Sequence, residues 1–429
     1  MAKNFSLPRG ATDILPQDIP LWIHIEKTAR QILNLYGYQE IRTPLFEETE
    51  LFARSMGQTS DVVQKQMLTL QPSKSPENEK AESAHYALRP EGTASVVRSY
   101  IENHLDKKES LSKLFYIGPM FRGERPQKGR LRQFHQIGVE AIGPGTASPY
   151  LDAEVIACSM YLLKSLGVSG AQLKINTLGT YANKEEFKNI LRGKLSGKLS
   201  ELCWDCQNRF ERNVLRILDC KVPACKMAVQ KLKLNYEWLD AESKTYFDTM
   251  KKILSGLNVI YNEDPYLVRG LDYYTHTVFE ISDSSLGSQD AVGAGGRYNN
   301  LITELGGPQV DAIGFALGIE RIILAQQGKI QVPQPSLDIF VIAMEEKFIK
   351  NAFALVQQIR HNGLSADASY EGSSMKSQMR QANKRNARYV MILGEDEIKA
   401  NEVALKNMQN GDQEKVSLNL INETIQKLK

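Results

Sequence analysis

Between Leu114 and Gly143 the chain reads LFYIGPMFRGERPQKGRLRQFHQIGVEAIG, two strand-like runs joined by a long basic loop. The return run, Gln133 to Ile142, alternates with a period of two, which only a strand satisfies. His135, Ile137, Val139 and Ala141 fall on one face; Phe134, Gln136, Gly138, Glu140 and Ile142 fall on the other. A carboxylate on that second, otherwise apolar face is costly unless something pairs with it. The loop, Arg122 to Arg132, carries Arg122, Arg125, Lys128, Arg130 and Arg132 against a single acid, Glu124. Guanidinium groups in that density suit a polyanion, and Gln136 with Glu140 suits a small polar ligand. A hairpin whose polar face is merely wet is the plain alternative.

The rest of the chain bounds what such a hairpin can belong to. At 429 residues it holds two to four domains. With a net charge of only +3 it is no bulk polycation, so any nucleic-acid contact must come from local patches. The N-terminal MAKNFSLPRG lacks the apolar core of a secretory signal, and no run of 18 apolar residues exists, so a cytoplasmic protein is expected. Five cysteines, an odd number, argue for free thiols or a metal site over a disulfide framework.

Ahead of the hairpin, Leu21, Ile25, Ile32 and Leu33 keep helical spacing from about Ile19 to Tyr36, with Asp18 as cap and Gly37 as stop. Tyr38 to Phe46 is strand-like, with Pro44 marking an edge or bulge, and Glu47 to Met56 is helical. Asp61–Leu70 and Ala84–Leu88 predict a hairpin around the polar tip QPSKSPENEKAES, a flexible loop by composition, to which no function is assigned. Pro90 and Gly92 hold a turn before an amphipathic helix. Glu91, just ahead of it, is favoured by the helix dipole whatever else it does.

After the hairpin, Leu151–Leu166 is a helix with Cys158 buried inside it, and Leu173–Leu178 a strand. Residues from about 180 to 258 then read as a helical insertion. Within it, Cys203 and Cys206, then Cys220 and Cys225, stand near zinc-ribbon spacing, the second pair looser than CxxC. A structural zinc and four reduced thiols both stay open. Leu267–Glu280 predicts a bent strand or strand pair with Gly270 at the bend. Gly295–Gly296 fits a tight turn or a close approach to ligand, and Gly314–Gly318 a small-residue strand feeding the helix of Arg321. Gln326–Pro335 is a linker. Beyond it, β and α segments alternate as in a small, largely parallel α/β domain, in which Lys376, Arg380, Lys384 and Arg388 form a basic stripe on one helix.

Phe121-Arg122-Gly123-Glu124-Arg125-Pro126, followed by Arg132-Gln133-Phe134-His135-Gln136, resembles motif 2 of the class II aminoacyl-tRNA synthetases, in the wording of the histidyl-tRNA synthetase family. The first helix, strand and Pro44 resemble motif 1, and Gly314 to Arg321 resembles motif 3. Ala87 to Thr93 looks like the family's amino-acid-binding loop; Leu267 to Glu280 and Ala294 to Tyr298 look like its two histidine-specific motifs. They occur in the family's order over nearly the whole chain.

The resemblance implies an α+β protein: a class II catalytic domain with an antiparallel sheet over 1–325, a helical insertion at about 180–258, a linker at 326–335 and an anticodon-binding α/β domain over 336–429. It implies a homodimer that joins L-histidine, ATP and tRNA(His). Arg122 would meet the α-phosphate, Arg269 would replace the metal other class II enzymes keep at the reacting centre, and Arg321 would hold the γ-phosphate. Glu124 would join the ATP site, and Mg²⁺ would arrive bridging the β- and γ-phosphates. Glu91 and Thr93 would hold the histidine α-ammonium, Glu140 and Tyr274 the two ring nitrogens, with Gln136, Arg269, Tyr273 and Tyr298 lining the site. Gln127 would read the extra 5′ nucleotide of tRNA(His), with Arg130 and Arg132 on phosphates.

A non-catalytic relative serving as regulatory subunit of ATP phosphoribosyltransferase is the runner-up. The C-terminal domain, with Arg122, Arg269 and Arg321, disfavours it. A plain RNA-binding module would use the same arginines on phosphates alone.

Overall fold

The computed structural model describes residues 5–58, 60–70, 85–287 and 290–429; the polar loop expected between Leu70 and Ala84 lies outside them. The chain divides into two compact units, Met1–Gln331 and Val332–Lys429.

The first unit holds helices α1 (Ile19–Leu35), α2 (Thr49–Met56), α3 (Thr93–Glu102), α4 (Pro149–Ser165), α5 (Tyr181–Leu195), α6 (Trp204–Arg212), α7 (Pro223–Gln230), α8 (Ala241–Gly256), α9 (Leu301–Glu304) and α10 (Ile319–Gln326). Its strands are β1 (Gln39–Glu40), β2 (Phe46–Glu48), β3 (Leu68–Leu70), β4 (Tyr86–Leu88), β5 (Ser112–Phe121), β6 (Gln133–Gly143), β7 (Ala171–Thr177), β8 (Asn262–Glu263), β9 (Thr275–Asp283), β10 (Ala291–Arg297) and β11 (Asp311–Gly318). Eight of them form one sheet in the order β1-β5-β6-β11-β10-β9-β7-β8. Its interior pairings are antiparallel, and only the short edge strands β1 and β8 join parallel.

The alternation in β6 sorts its side chains between two cores. Ile137, Val139 and Ala141 enter a cluster with residues of α1, α4, α8 and α10. Ile142, with Phe134 at its margin, enters the cluster on the opposite face, where Glu140 also points into a cavity. Burying each such Ile or Val contributes about 1.5–3 kcal/mol, so a one-residue slip of β6 would forfeit several of these terms at once. Helix α4 is apolar nearly all round because α1, α8 and the sheet enclose it. Of its two acids, Glu154 pairs with Lys113 and Asp152 is fully buried against Arg297. Helix α8 packs its Phe247, Met250 and Leu254 into this same sheet-covering cluster, although the sequence places it with the insertion.

Several expectations are corrected. Asp18 makes no side-chain cap; its backbone is already helical, and Pro20 opens α1 instead. Tyr38–Phe46 is not one strand: Pro44 separates β1, paired with β5, from β2, paired with β4. Before β3 the chain makes a π-helical turn, Val62–Gln66, so only its last three residues join the expected hairpin with β4. The bent strand expected from Leu267 begins only at Thr275; the preceding residues are turn and loop. Gly295 and Gly296 lie inside β10 and form no turn. A Cβ on Gly295 would sit 2.3 Å from the Gly314 carbonyl oxygen, so the strand tolerates no side chain there.

The second unit contains β12 (Ile339–Ala343), α11 (Ile349–His361), β13 (Ala366–Ala368), α12 (Met375–Lys384), β14 (Tyr389–Leu393), α13 (Glu395–Ala400), β15 (Glu402–Asn407), β16 (Gln413–Ser417) and α14 (Ile421–Lys427). The sheet order is β13-β12-β14-β15-β16. It is mixed, not largely parallel: β15 and β16 turn back antiparallel. The basic stripe is shorter than expected. Lys376, Arg380 and Lys384 are exposed on α12, but Arg388 lies beyond the helix and pairs with Asp338 at 2.9 Å. Among the described residues no helix is long and apolar enough to cross a membrane.

Candidate active site

One cavity of about 360 Å³ opens on the face of β6 that carries Glu140, a size that accommodates a small organic ligand. Glu91, Thr93, Arg122, Glu124, Gln136, Glu140, Arg269, Tyr273, Tyr274, Tyr298 and Arg321, separated by up to 230 positions in sequence, all line it.

Glu140 forms the polar floor and is 1% exposed. The Thr93 hydroxyl donates to its Oε1 at 2.7 Å, and the Tyr298 hydroxyl donates to its Oε2. Burial pushes the Glu140 carboxyl up to about 8, against the two hydroxyl bonds, which favour the charged form. Space for it comes from the opposing strand: Gly314 is the register partner of Glu140, and a Cβ there would stand 2.0 Å from Oε2. Gly314→Ala therefore displaces Glu140. We expect a stability loss of about 1–3 kcal/mol from overpacking and a raised KM for the ligand that Glu140 holds, measured by thermal melting and steady-state kinetics. Unchanged values in both would show that the β6–β11 pair yields easily.

Glu91 accepts from the backbone N–H groups of Thr93 and Ala94, each at 2.8 Å, so it caps the start of α3. Burial raises its carboxyl above the usual range. Gln136 Oε1 is buried and has no hydrogen-bond partner among the described residues, an acceptor in the cavity wall that a bound donor would satisfy. The rings of Tyr273 and Tyr298 meet edge to face, 5.6 Å between centroids, and close the floor from the side.

The three arginines come from three different elements. Arg122 follows β5; its Nε donates to the Pro90 carbonyl at 2.9 Å, and its guanidinium lies over the Phe134 ring, 5.2 Å from the centroid. Arg269 lies in the loop before β9 and pairs with Glu280. Arg321 sits on the first turn of α10 and donates to the carbonyls of Gly129, at 3.0 Å, and Ala291. Burial lowers the affinity of Arg122 and Arg321 for their protons, yet a guanidinium stays charged at any physiological pH. Below Arg321, Glu320 accepts from the His135 backbone N–H at 3.0 Å and meets its ring Nδ1 at 2.9 Å, tying α10 to β6.

The loop residues divide. Arg130, expected on tRNA phosphates, points into the cavity and pairs with Glu124. Gln127 and Arg132 are exposed and do not line it; Arg132 donates to the carbonyls of Glu124 and Arg9. Sequence reasoning missed Glu280, Glu320, Asp290 and Phe134 as wall residues, and Gly314 as the space that Glu140 needs. Phe134 and Glu140 share a strand face, a signal that was available; the Arg269–Glu280 pairing had none.

The same arrangement has a recognisable source. Residues 10–322 match the family profile described as histidyl-tRNA synthetase. The chain belongs to the histidyl-tRNA synthetase family. Residues 338–428 match the family profile described as an anticodon binding domain. A histidine–tRNA ligase of Syntrophotalea carbinolica is 44% identical over 97% of each chain. A crystal structure of the apo histidyl-tRNA synthetase of Staphylococcus aureus superposes with a TM-score of 0.78, is 37% identical, and covers 98% of this chain and 100% of that one. A structure from Bacillus halodurans titled as an ATP phosphoribosyltransferase regulatory subunit/histidyl-tRNA synthetase, at 20% identity and a TM-score of 0.63 over 91% of this chain and 99% of that one, shares the fold. The α+β class II architecture expected from motif 2 is thus the architecture of this histidyl-tRNA synthetase family member, and aminoacyl-tRNA synthetase activity follows from that membership.

Proposed function

We propose that this chain activates L-histidine with ATP to histidyl-adenylate, releasing diphosphate, and transfers the histidyl group to the 3′ end of tRNA(His), releasing AMP. The observation that carries this reading is the single cavity in which Arg122, Arg269 and Arg321 surround a floor made by Glu140. Adenylate formation brings a carboxylate against the α-phosphate, two anions whose repulsion must be neutralised before attack. Arg122, held over Phe134, takes the α-phosphate; Arg269 takes charge from both reacting groups; Arg321 holds the γ-phosphate. Glu124 and Asp290, both close enough to Arg321 to act on its charge, offer the hard oxygens that would hold a Mg²⁺ brought in with ATP, and such an ion would supply further positive charge to the phosphates. The histidine carboxylate is already a nucleophile, so no general base is required at this step.

Glu140 receives one imidazole N–H, Tyr274 meets the other nitrogen, and Gln136, Tyr273 and Tyr298 complete the lining. Glu91 and Thr93, which line the cavity, would hold the α-ammonium, although in the structure their polar groups are already engaged with α3 and Glu140. Gln127 and Arg132, exposed on the motif 2 loop, would meet tRNA, and the second unit would read the anticodon. A cytoplasmic homodimer completes the proposal.

An ATP–diphosphate exchange assay across the twenty amino acids tests it: exchange with histidine alone is expected. Steep salt-dependent RNA binding without amino-acid-dependent exchange would favour a plain RNA-binding module, and no exchange at all would favour a regulatory role.

The raised Glu140 carboxyl gives this site a pH signature. A carboxylate that accepts an N–H must first lose its proton. At pH 7 the empty site is mostly protonated at Glu140, whose carboxyl titrates at about 8. Binding neutral histidine therefore releases a proton, and affinity rises with pH through 7 and levels above about 8. Calorimetry in buffers of different ionisation enthalpy reads that proton; proton uptake at pH 7 would reverse the assignment.

A further inference from the structure

We propose that Cys203, Cys206, Cys220 and Cys225 bind one structural Zn²⁺ that clamps the helical insertion onto the loop of Arg269. The four Sγ atoms lie within 4.8 Å of one another, and no other side chain of metal-binding type joins the group among the described residues. Tetrahedral Zn–S bonds of about 2.3 Å place the sulfurs about 3.8 Å apart; Cys203 and Cys220 stand at 3.9 Å. A disulfide would need about 2 Å, and each of the five cysteines is a free thiol.

The backbone is arranged for a chelate. Cys203 precedes α6 and Cys206 lies in its first turn; Cys220 precedes α7 and Cys225 lies in its first turn. Each pair thus spans a helix start. The Cys203 backbone N–H donates to Cys225 Sγ at 3.1 Å, the kind of bond that orients a metal-bound thiolate. Cys206, Cys220 and Cys225 are buried, so solvent does not compete for them. Helices α6 and α7 have only nine and eight residues, too short to be stable on their own.

The segment between the two cysteine pairs is the one that grips the site. Arg216 donates to the Gly270 carbonyl at 2.8 Å and pairs with Asp61 at 3.1 Å. Arg209 pairs with the same Asp61 oxygen at 2.9 Å, and Asn213 Nδ2 donates to Asp272 at 2.7 Å. A metal that fixes residues 203–225 therefore fixes the chain at Gly270 and Asp272, between Arg269 and Tyr273. The clamp on histidine binding rests on the function proposed above; the metal does not.

Elemental analysis of the purified full chain tests the metal without any catalytic assay, so its failure and failure of the synthetase reading are separate results. We expect about one zinc per chain. Cys206→Ser or Cys225→Ser lowers it below half, and Cys158→Ser leaves it unchanged. Chain produced with cobalt shows thiolate-to-metal charge transfer and the ligand-field bands of a tetrahedral site. Should the serine variants not fold, the zinc content and the cobalt spectrum of the native chain decide alone.

Less than half an equivalent of zinc in the native chain overturns the proposal. So does iron with inorganic sulfide, or disulfides found by mass spectrometry. Full zinc retained in folded Cys206→Ser overturns it as well. In a folded variant without zinc, KM for histidine is expected to rise at least about tenfold, with KM for ATP within about twofold. An unchanged histidine KM overturns the clamp and leaves only the metal.

Discussion

Glu140→Gln is expected to remove histidine-dependent ATP–diphosphate exchange, lowering kcat/KM at least about 10³-fold, while the chain stays folded. The change keeps the volume of a side chain that is 1% exposed and flanked by the Gly314 backbone, so it leaves no cavity. It replaces one acceptor oxygen with an NH₂ donor. Thr93 and Tyr298 already donate to the two carboxylate oxygens; an NH₂ in place of one oxygen makes the hydroxyl beside it turn to accept, and where it faces the imidazole N–H it puts donor against donor. A site built to hydrogen-bond a substrate discriminates by roughly 10⁴-fold or more when the match is lost, because buried polar groups are then unpaired. Glu140 is moreover held off its charged form by burial, and the neutral amide relieves that cost, so thermal stability should hold or rise slightly. Exchange kinetics and a melting curve on one preparation separate the two effects. Exchange within about threefold of the native rate, with a native melting curve, would remove Glu140 from histidine recognition.

How much of this was legible beforehand depends on the range over which each feature is determined. The β6 alternation is local, and it placed Glu140 and Gln136 on the cavity side and Val139 in the opposite core. The motif residues Arg122, Arg269 and Arg321 were visible as motifs, but their convergence required the sheet order to bring β5, β9 and α10 together. Features fixed by long-range pairing were not legible. Gly295 and Gly296 look like a turn because no local signal reveals that the Gly314 and Thr277 carbonyls press on them from both sides. The stretch before Thr275 looks like a strand from its apolar and aromatic content. In the fold it is instead held by Arg216, Asn213 and Lys184 of the insertion, contacts 54 to 88 positions apart. Arg130 is expected with Arg132 on tRNA phosphates, and its pairing with Glu124 turns it into the cavity.

Arg269→Met is expected to lower kcat about 10³-fold with little change in KM for ATP. The magnitude follows from charge. Two unit charges 4 Å apart at an effective dielectric of 20 interact by about 4 kcal/mol, and losing that term where carboxylate and phosphate approach slows the step by about 10³. In the empty site Arg269 is neutralised by Glu280, so a loss of activity could instead reflect a stranded carboxylate. The double variant Arg269→Met with Glu280→Gln resolves this. If the stranded charge were the cause, the second change would restore activity; if Arg269 neutralises the reacting anions, activity stays low. Glu280 is partly exposed, so water can solvate it once Arg269 is gone, and the single variant should melt within a few degrees of the native chain. Arg269→Lys keeps the charge but not the two-pronged geometry that a carboxylate and a phosphate can share, and is expected to fall between the two. Recovery to native kcat in the double variant would show that Arg269 serves only to balance Glu280, and the adenylation chemistry would then rest on Arg122 and Arg321.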